Sequence, residues 1–511
     1  MAAVLGVNAV FHDPAAAVVV DGEVVAAAEE ERFSRRKHGK QAVPFSTWEV
    51  PEASARWCLR RAGLTPAELD AVAYSYDPSL LPSPGADVTA HDWEPLRTLY
   101  AAKAPSFLAS ALPGLDPSRV RFVPHHHAHA ASAYLAAPWP DSAVLVLDGR
   151  GETASHVGGW ARHGELSVLA AQQLPHSLGL LYEELTEHLG FRRSSDEYKV
   201  MAMASYGKPV HVGALADLVR ATGDGGFVTE AIDWETFAPR RLPGEEWTAA
   251  HADLASSVQT RLEEVLLDLA GWLAGATGER RLTMAGGVAL NCVANARLAA
   301  ESPFSDIWVQ PAAGDAGTAL GGALLVAHQL GDRVSPMATA ALGRSWTEAE
   351  LEAYLMDADV PYHRPPDVAE AVAEALAADA AVAWFEGRSE YGPRALGHRS
   401  LLANPCRPDN VHRLNVIKGR EQFRPVAPMV MAERAAEVFS GTLPSPFMLF
   451  THQVRPGWAG RIPAAVHVDG TARVQTVAAA DEPLMHRVLA AFERRTGVPV
   501  LINTSLNTAG R

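Results

Sequence analysis

The feature that most constrains this chain is a pattern written twice. Val4–Val7 is a short apolar run, residues 8–14 are polar, Ala17–Val20 is apolar again, Asp21-Gly22 is a hairpin turn signal, and Glu23–Ala28 returns. The same order recurs as Ala143–Leu147, the polar Asp148-Gly149-Arg150-Gly151-Glu152, Ser155–Trp160, the turn His163-Gly164, and Glu165–Ala171. Each copy predicts strand, loop, strand, turn, strand. With helical stretches between them, the copies predict a duplicated α/β domain that binds a ligand in the cleft between its halves. Leu282–Ala285, followed by Gly286-Gly287 and a helix through Asn291 and Arg297, extends the second copy. So does Ile307–Val309, a loop holding Asp315, and a helix beginning near Gly317–Gly322. Glycine pairs at such junctions let backbone N–H groups approach a nucleotide phosphate.

At 511 residues the chain is long enough for two or three domains of about 100–200 residues. Mixed-charge, proline-containing sequence from 335 to 365 marks a boundary, giving domains 1–342 and 343–511. A helix over Val368–Ala378 and a strand over Val382–Phe385 open the second domain. The formal charge of −15, from 44 basic and 59 acidic residues, argues against a nucleic-acid binder, which needs a basic face. No apolar run approaches the roughly 18–20 residues of a membrane span, and the N-terminus lacks the basic segment of a secretory signal. Cys58, Cys292 and Cys406 form neither a disulfide framework nor a CxxC site. A soluble, cytoplasmic protein is expected, without nucleic-acid or membrane partners; a homodimer remains open.

Four segments carry candidate chemistry. In Pro124-His125-His126-His127-Ala128-His129, a helix puts His125 and His129 on one face. With Asp148 after one strand and Asp315 in the matching loop, these residues suit iron, manganese or zinc better than a solvated helix start. His12-Asp13 could position or deprotonate an acceptor hydroxyl, or simply cap a loop. The run Glu29–Arg32 and Arg35–His38 has the composition of a solvated charged face. In Glu197-Tyr198-Lys199-Val200-Met201, Lys199 could meet a phosphate or carboxylate, while Val200, Met201 and Met203 suit a core.

The fourth segment is the most distinctive. Only six lysines stand against 38 arginines, and one of them, Lys418, lies among Arg394, Arg399, Arg420, Arg424 and Arg473. Asn503, Ser505 and Asn507 add neutral polar groups. Between 391 and 420 the only acid is Asp409, so surface ion pairing does not explain these cations. Several arginine forks and one ammonium fit a site for several phosphates.

These strings closely resemble the NodU/CmcH-type O-carbamoyltransferases from Val4 to the last residue. The resemblance rests on HDPAAAVVVDGEVVAAAEEERFSRRKH, HHHAHAASAY, LDGRGE, EYKVMAMASYG, GGVALN, GDAGTALGG, YGPRALGHRS, KGREQFRPVAP, HVDGTARVQTV and NTSLN, in the family order. It implies a duplicated actin-like ATPase (Kae1-like) domain followed by an α/β YrdC-like domain. Lys418, Arg420, Ser505 and Asn507 match the latter's K-x-R and S-x-N signature. The implied chemistry has two steps. ATP and carbamoyl phosphate form carbamoyl-adenylate, and a hydroxyl of a small-molecule acceptor, such as an antibiotic, sugar or polyketide, then takes the carbamoyl group.

By the same resemblance, Arg394, Arg399, Lys418, Arg420, Arg424, Arg473, Asn503, Ser505 and Asn507 would hold carbamoyl phosphate and ATP with Mg²⁺, and Lys418 and Arg424 would be catalytic. Lys199, Gly286, Gly287 and Asn291 would hold carbamoyl-adenylate. His125, His129, Asp148 and Asp315 would bind Fe²⁺ or another divalent metal, and His12 and Asp13 would activate the hydroxyl. Relatives continue for several dozen residues beyond the position of Arg511, which leaves two expectations open: a sequence truncated at its C-terminus, or a family member that did not retain the final segment. A tRNA threonylcarbamoyl-adenosine synthase shares these folds, but the charge weighs against it. An actin-like small-molecule kinase would leave the cation-rich C-terminal segment without a role.

Overall fold

The computed structural model describes residues 2–81 and 94–508. They form two compact units, 2–338 and 339–508.

The first unit contains two five-stranded sheets with one topology. In the first sheet, β1 (Ala3–Asn8), β2 (Ala15–Val20) and β3 (Glu23–Glu29) run antiparallel. On the other side of β1, β4 (Ala71–Tyr74) and β5 (Val120–Phe122) continue parallel, giving the order β3-β2-β1-β4-β5. The second sheet repeats this with β6 (Asp141–Leu147), β7 (Ala154–Arg162) and β8 (Glu165–Gln173) antiparallel. A small hairpin of β9 (Val219–Ala221) and β10 (Phe227–Thr229) intervenes. Then β11 (Arg281–Ala285) and β12 (Asp306–Val309) continue parallel from β6. The predicted strand–turn–strand units lie where the apolar runs put them. Both turns use left-handed residues, Asp21 (φ 53°) with Gly22 and His163 (φ 52°) with Gly164, as two-residue hairpins require.

The two halves are joined at the helices His125–Tyr134 and Ala316–Gln329, which pack on each other. The second also covers β1, β2 and β4, while the first lies on β6 and β11. Their contact depends on Gly321: a Cβ there would stand 1.8 Å from the carbonyl oxygen of Ala128. In that glycine-rich helix start, this glycine therefore serves close helix packing rather than access of backbone to a phosphate.

The second unit has a mixed sheet, β13-β14-β20-β15-β19. It comprises β13 (Val382–Phe385), β14 (Arg399–Ala403), β15 (Ala427–Met431), β19 (Gln475–Val477) and β20 (Val500–Ser505). Only β15 and β19 pair in parallel. A three-stranded antiparallel sheet joins β16 (Phe439–Ser440), β17 (His452–Val454) and β18 (Thr471–Ala472). Helices Val368–Ala377 and Pro483–Thr496 pack together and contribute Leu376, Val488, Leu489 and Phe492 to the core beneath the mixed sheet. The end of the chain, on which those two expectations bear, lies outside the described residues. Among the described residues, no helix is long and apolar enough to cross a membrane.

Candidate active site and metal centre

The helix starting at His125 brings His125 and His129 onto one face, with ring centroids 4.7 Å apart. Asp148 follows β6, and Asp315 directly precedes the helix Ala316–Gln329. The helix contact at Gly321 therefore brings His125 and His129 to Asp315, and the end of β6 delivers Asp148 to them. His125 Nε2 lies 3.3 Å from Asp148 Oδ2 and 3.5 Å from Asp315 Oδ1. His129 Nε2 lies 3.6 and 3.5 Å from the same two oxygens.

All four residues are buried, and their ligand atoms fall within 4.8 Å of one another. Neither ring nitrogen of His129 has a hydrogen-bond partner among the described residues. An unsatisfied buried imidazole facing two carboxylates calls for a ligand. A divalent cation at about 2.0–2.2 Å from each donor fits these separations. The second shell is also present: His125 Nδ1 is 3.2 Å from Ser75 O, and the Gly287 N–H donates to Asp148 Oδ1 at 2.8 Å. Burial would raise the Asp148 pKa, but His125 and His129 hold it well below the carboxylate range.

His12 and Asp13 lie in the loop between β1 and β2, at the edge of this cluster. His12 Nε2 is 3.8 Å from Asp315 Oδ2, and His12 Nδ1 is 2.9 Å from Asp13 Oδ2. Burial opposes charge on His12, yet Asp315, Asp13 and Asp148 raise its pKa to about 10. The other Asp13 oxygen meets His38 Nδ1 at 2.8 Å, and His38 Nε2 meets Ser195 Oγ at 2.9 Å. Lys37 Nζ donates to the same Ser195 oxygen at 2.8 Å. The loop is pinned from below by the buried Lys40, whose ammonium donates to Ala9 O at 2.5 Å and Ser46 O at 3.0 Å. The charged run expected to face solvent does so only in its middle: Arg35 and Arg36 are exposed, whereas Glu29 is buried and His38 supports Asp13.

In the second unit, Lys418 ends the helix Asp409–Lys418 and is buried against the end of β20. Its Nζ donates to Asn507 Oδ1 and Asn507 O, both at 2.8 Å, and to Ser505 Oγ at 3.1 Å. Burial, then Arg420 and Arg424, push its pKa down to about 7. Arg420 donates to Asn415 Oδ1 at 2.5 Å and to Thr504 Oγ1 at 3.3 Å. Asn503 Nδ2 donates to Ala395 O at 2.9 Å, which sets the segment after Arg394 beside β20. Arg473 Nε and Asn503 Oδ1 are buried without hydrogen-bond partners among the described residues.

Two family models match this chain: "Carbamoyltransferase N-terminus" over residues 3–80 and 101–324, and "Carbamoyltransferase C-terminus" over 373–511. The chain belongs to the carbamoyltransferase family. An uncharacterised protein of Synechocystis sp. is 37% identical over an alignment covering all of this chain and 92% of that protein. Nodulation protein NolNO of Sinorhizobium fredii is also 37% identical, over 98% of this chain and 75% of its own length. Among solved structures, HypF of T. kodakarensis aligns with 65% of this chain and 48% of its own, at 15% identity and a TM-score of 0.42.

In this carbamoyltransferase several sequence-predicted residues have engagements that their types did not reveal. Arg399 Nη1 donates to Glu386 O at 2.8 Å and His398 O at 2.9 Å, and Nη2 to Arg344 O at 2.8 Å and Gly387 O at 3.1 Å. Its guanidinium also stacks 3.7 Å from the Phe385 ring centroid, so it knits the loop before β14 together. Gly286 takes φ 92°, and a Cβ there would meet Leu147 O at 2.1 Å. It lets the 286–287 turn reach Asp148. Asn291 caps the helix Cys292–Glu301 through Ala294 N and donates to Gln259 Oε1 at 2.9 Å. Lys199 pairs with Asp196 at 3.0 Å and does not join the His/Asp cluster directly. Arg424 lies 3.7 Å from Glu421.

Sequence reasoning missed His38, Ser195, Lys37 and Glu197 in this carbamoyltransferase. Glu197 is a largely buried carboxyl, and burial pushes its pKa up to about 7. Its Oε1 has no hydrogen-bond partner among the described residues. The one available signal was the placement of rare lysines, Lys37 adjacent to His38 and Lys199 two residues after Glu197.

Proposed function

We propose that this carbamoyltransferase activates carbamoyl phosphate with ATP in its C-terminal unit, as a YrdC-like domain, and transfers the carbamoyl group in its N-terminal, actin-like (Kae1-like) unit. The observation that carries the reading is the convergence of Lys418 on Ser505 and Asn507, with Arg420 and Arg424 acting on the same ammonium. One carbamoyl phosphate, one ATP and one water balance to carbamoyl-adenylate, phosphate and pyrophosphate. Lys418, Arg394, Arg420, Arg424 and Arg473 would spread the negative charge of the phosphates over several cations, with Ser505, Asn503 and Asn507 fixing their orientation. Mg²⁺ would accompany ATP. Arg399 would act on this site by holding its loop.

In the N-terminal unit, His125, His129, Asp148 and Asp315 would hold a divalent cation, with iron among the candidates. Such a cation supplies Lewis-acid polarisation of a phosphate oxygen. Gly286, Gly287, Asn291 and Lys199 would border the adenylate. The acceptor hydroxyl oxygen attacks the carbamoyl carbon and the bond to AMP breaks; His12, charged near neutral pH and oriented by Asp13, would position the hydroxyl, whose proton passes to the Asp13 carboxylate. The acceptor is a hydroxyl-bearing small molecule, placing the enzyme in natural-product biosynthesis. The test omits the acceptor: protein, ATP, Mg²⁺ and carbamoyl phosphate should yield carbamoyl-adenylate and pyrophosphate by mass spectrometry. Formation of ADP instead would favour a kinase.

A further inference from the structure

Glu386 at the end of β13, His398 just before β14 and Glu482 just before the helix Pro483–Thr496 form a second ligand-competent cluster, in the C-terminal unit. The His398 side chain is 6% exposed. Its Nε2 lies 3.0 Å from Glu482 Oε1, a hydrogen bond that places the proton of the neutral ring on Nε2 and leaves the Nδ1 lone pair available. Nδ1 is buried with no hydrogen-bond partner among the described residues. It faces Glu386 Oε2 at 3.6 Å, too long for a hydrogen bond. Two ligands of one ion at about 2.1 Å each, meeting at a near-tetrahedral angle, stand about 3.4–3.6 Å apart.

There is also room. Among described residues other than its chain neighbours Glu386 and Arg388, a Cβ built on Gly387 would find one atom within 4 Å, His398 Nδ1 at 3.7 Å. Three carboxylates, Glu482, Glu390 and Glu386, surround His398; they attract a cation and, against burial, also raise its pKa, so a metal would have to displace a ring proton. Carboxylate on one ring nitrogen and an open lone pair on the other is the usual way a histidine is prepared for a metal.

We infer that Glu386 and His398 bind a divalent transition cation, with Glu482 orienting the imidazole and water completing the coordination. An imidazole with a carboxylate selects zinc-like ions over magnesium or calcium. The ion would tie the end of β13 to the start of β14, across the loop that Arg399 also holds. The rival is an imidazolium clamped between two glutamates.

The test is equilibrium dialysis of the metal-stripped full chain against Zn²⁺, with bound metal read by elemental analysis. Wild type should bind one more ion per chain than His398→Gln. Glu386→Gln, whose side chain is partly exposed and whose fold is checked by circular dichroism, should weaken that ion at least tenfold. Asp148→Asn/Asp315→Asn should keep it. Equal stoichiometry in wild type and both single variants overturns the inference, as does a double variant that binds no ion. A loss of stability in His398→Gln with no change in bound zinc assigns the clamp instead and also overturns it.

Discussion

Asp13 and His38 are joined by a 2.8 Å hydrogen bond between Oδ1 and Nδ1, across 25 residues of sequence. Both take left-handed backbone conformations, with φ 48° and 60°, which side-chain-bearing residues adopt at an energetic cost. The bond fixes one oxygen of Asp13 so that the other meets His12. His38→Ala should therefore lower the transfer step by about ten- to a hundredfold through misorientation. Carbamoyl-adenylate formation should not change. Single-turnover transfer from preformed adenylate measures this, and equal loss in both steps would contradict it.

Lys418→Ala should abolish pyrophosphate release, because the ammonium that meets Ser505 and Asn507 is lost. His129→Ala and Asp315→Ala should leave pyrophosphate release intact and stop transfer. Stripping the protein with a chelator, dialysing the chelator away and returning only Mg²⁺ should reproduce the second phenotype, and added transition metal should reverse it. If all these variants fail at the same step, the assignment of two chemical sites is wrong.

The pH dependence of donor binding follows from Lys418. Its pKa is lowered to about 7, so the ammonium is lost as pH rises through neutrality. The KM for carbamoyl phosphate should rise between about pH 7 and 9, with little change below 6. For stability the sign is opposite. Between pH 7 and the ordinary lysine pKa of 10.5 the unfolded chain binds more protons at this position, so rising pH stabilises the fold there. Lys418→Met should remove that increment, as read by denaturant unfolding at pH 6 and pH 9.

Gly321→Ala should cost about 3 kcal/mol, at the upper end of overpacking, because its Cβ would overlap the carbonyl of Ala128 and neither backbone can yield cheaply. Pushing the helices apart also separates His129 from Asp315. Thermal unfolding and metal content should fall together. A variant with full metal content and unchanged melting would show that the helix contact does not set the cluster.

The sequence by itself determined the parts governed by near neighbours. Alternation, turn residues and helical spacing set the two strand–loop–hairpin units, the pairing of His125 with His129 on one helix face, and the extent of β13. Hydrophobic period and turn chemistry act over a few residues, so one strand of text carries them. Tertiary structure alone decided which distant groups meet. The run ending at His38 has the composition of a solvated face, and Arg35 and Arg36 are exposed, but left-handed turns at Arg35 and His38 bring His38 to Asp13. Arg399 has the composition of a phosphate ligand, but its guanidinium donates to four backbone carbonyls. His398 gains its partners only because β13, β14 and the helix Pro483–Thr496 converge. Side-chain chemistry fixes what a residue is able to do. Its partners are set by backbone paths that close over tens of residues, and no local pattern records them.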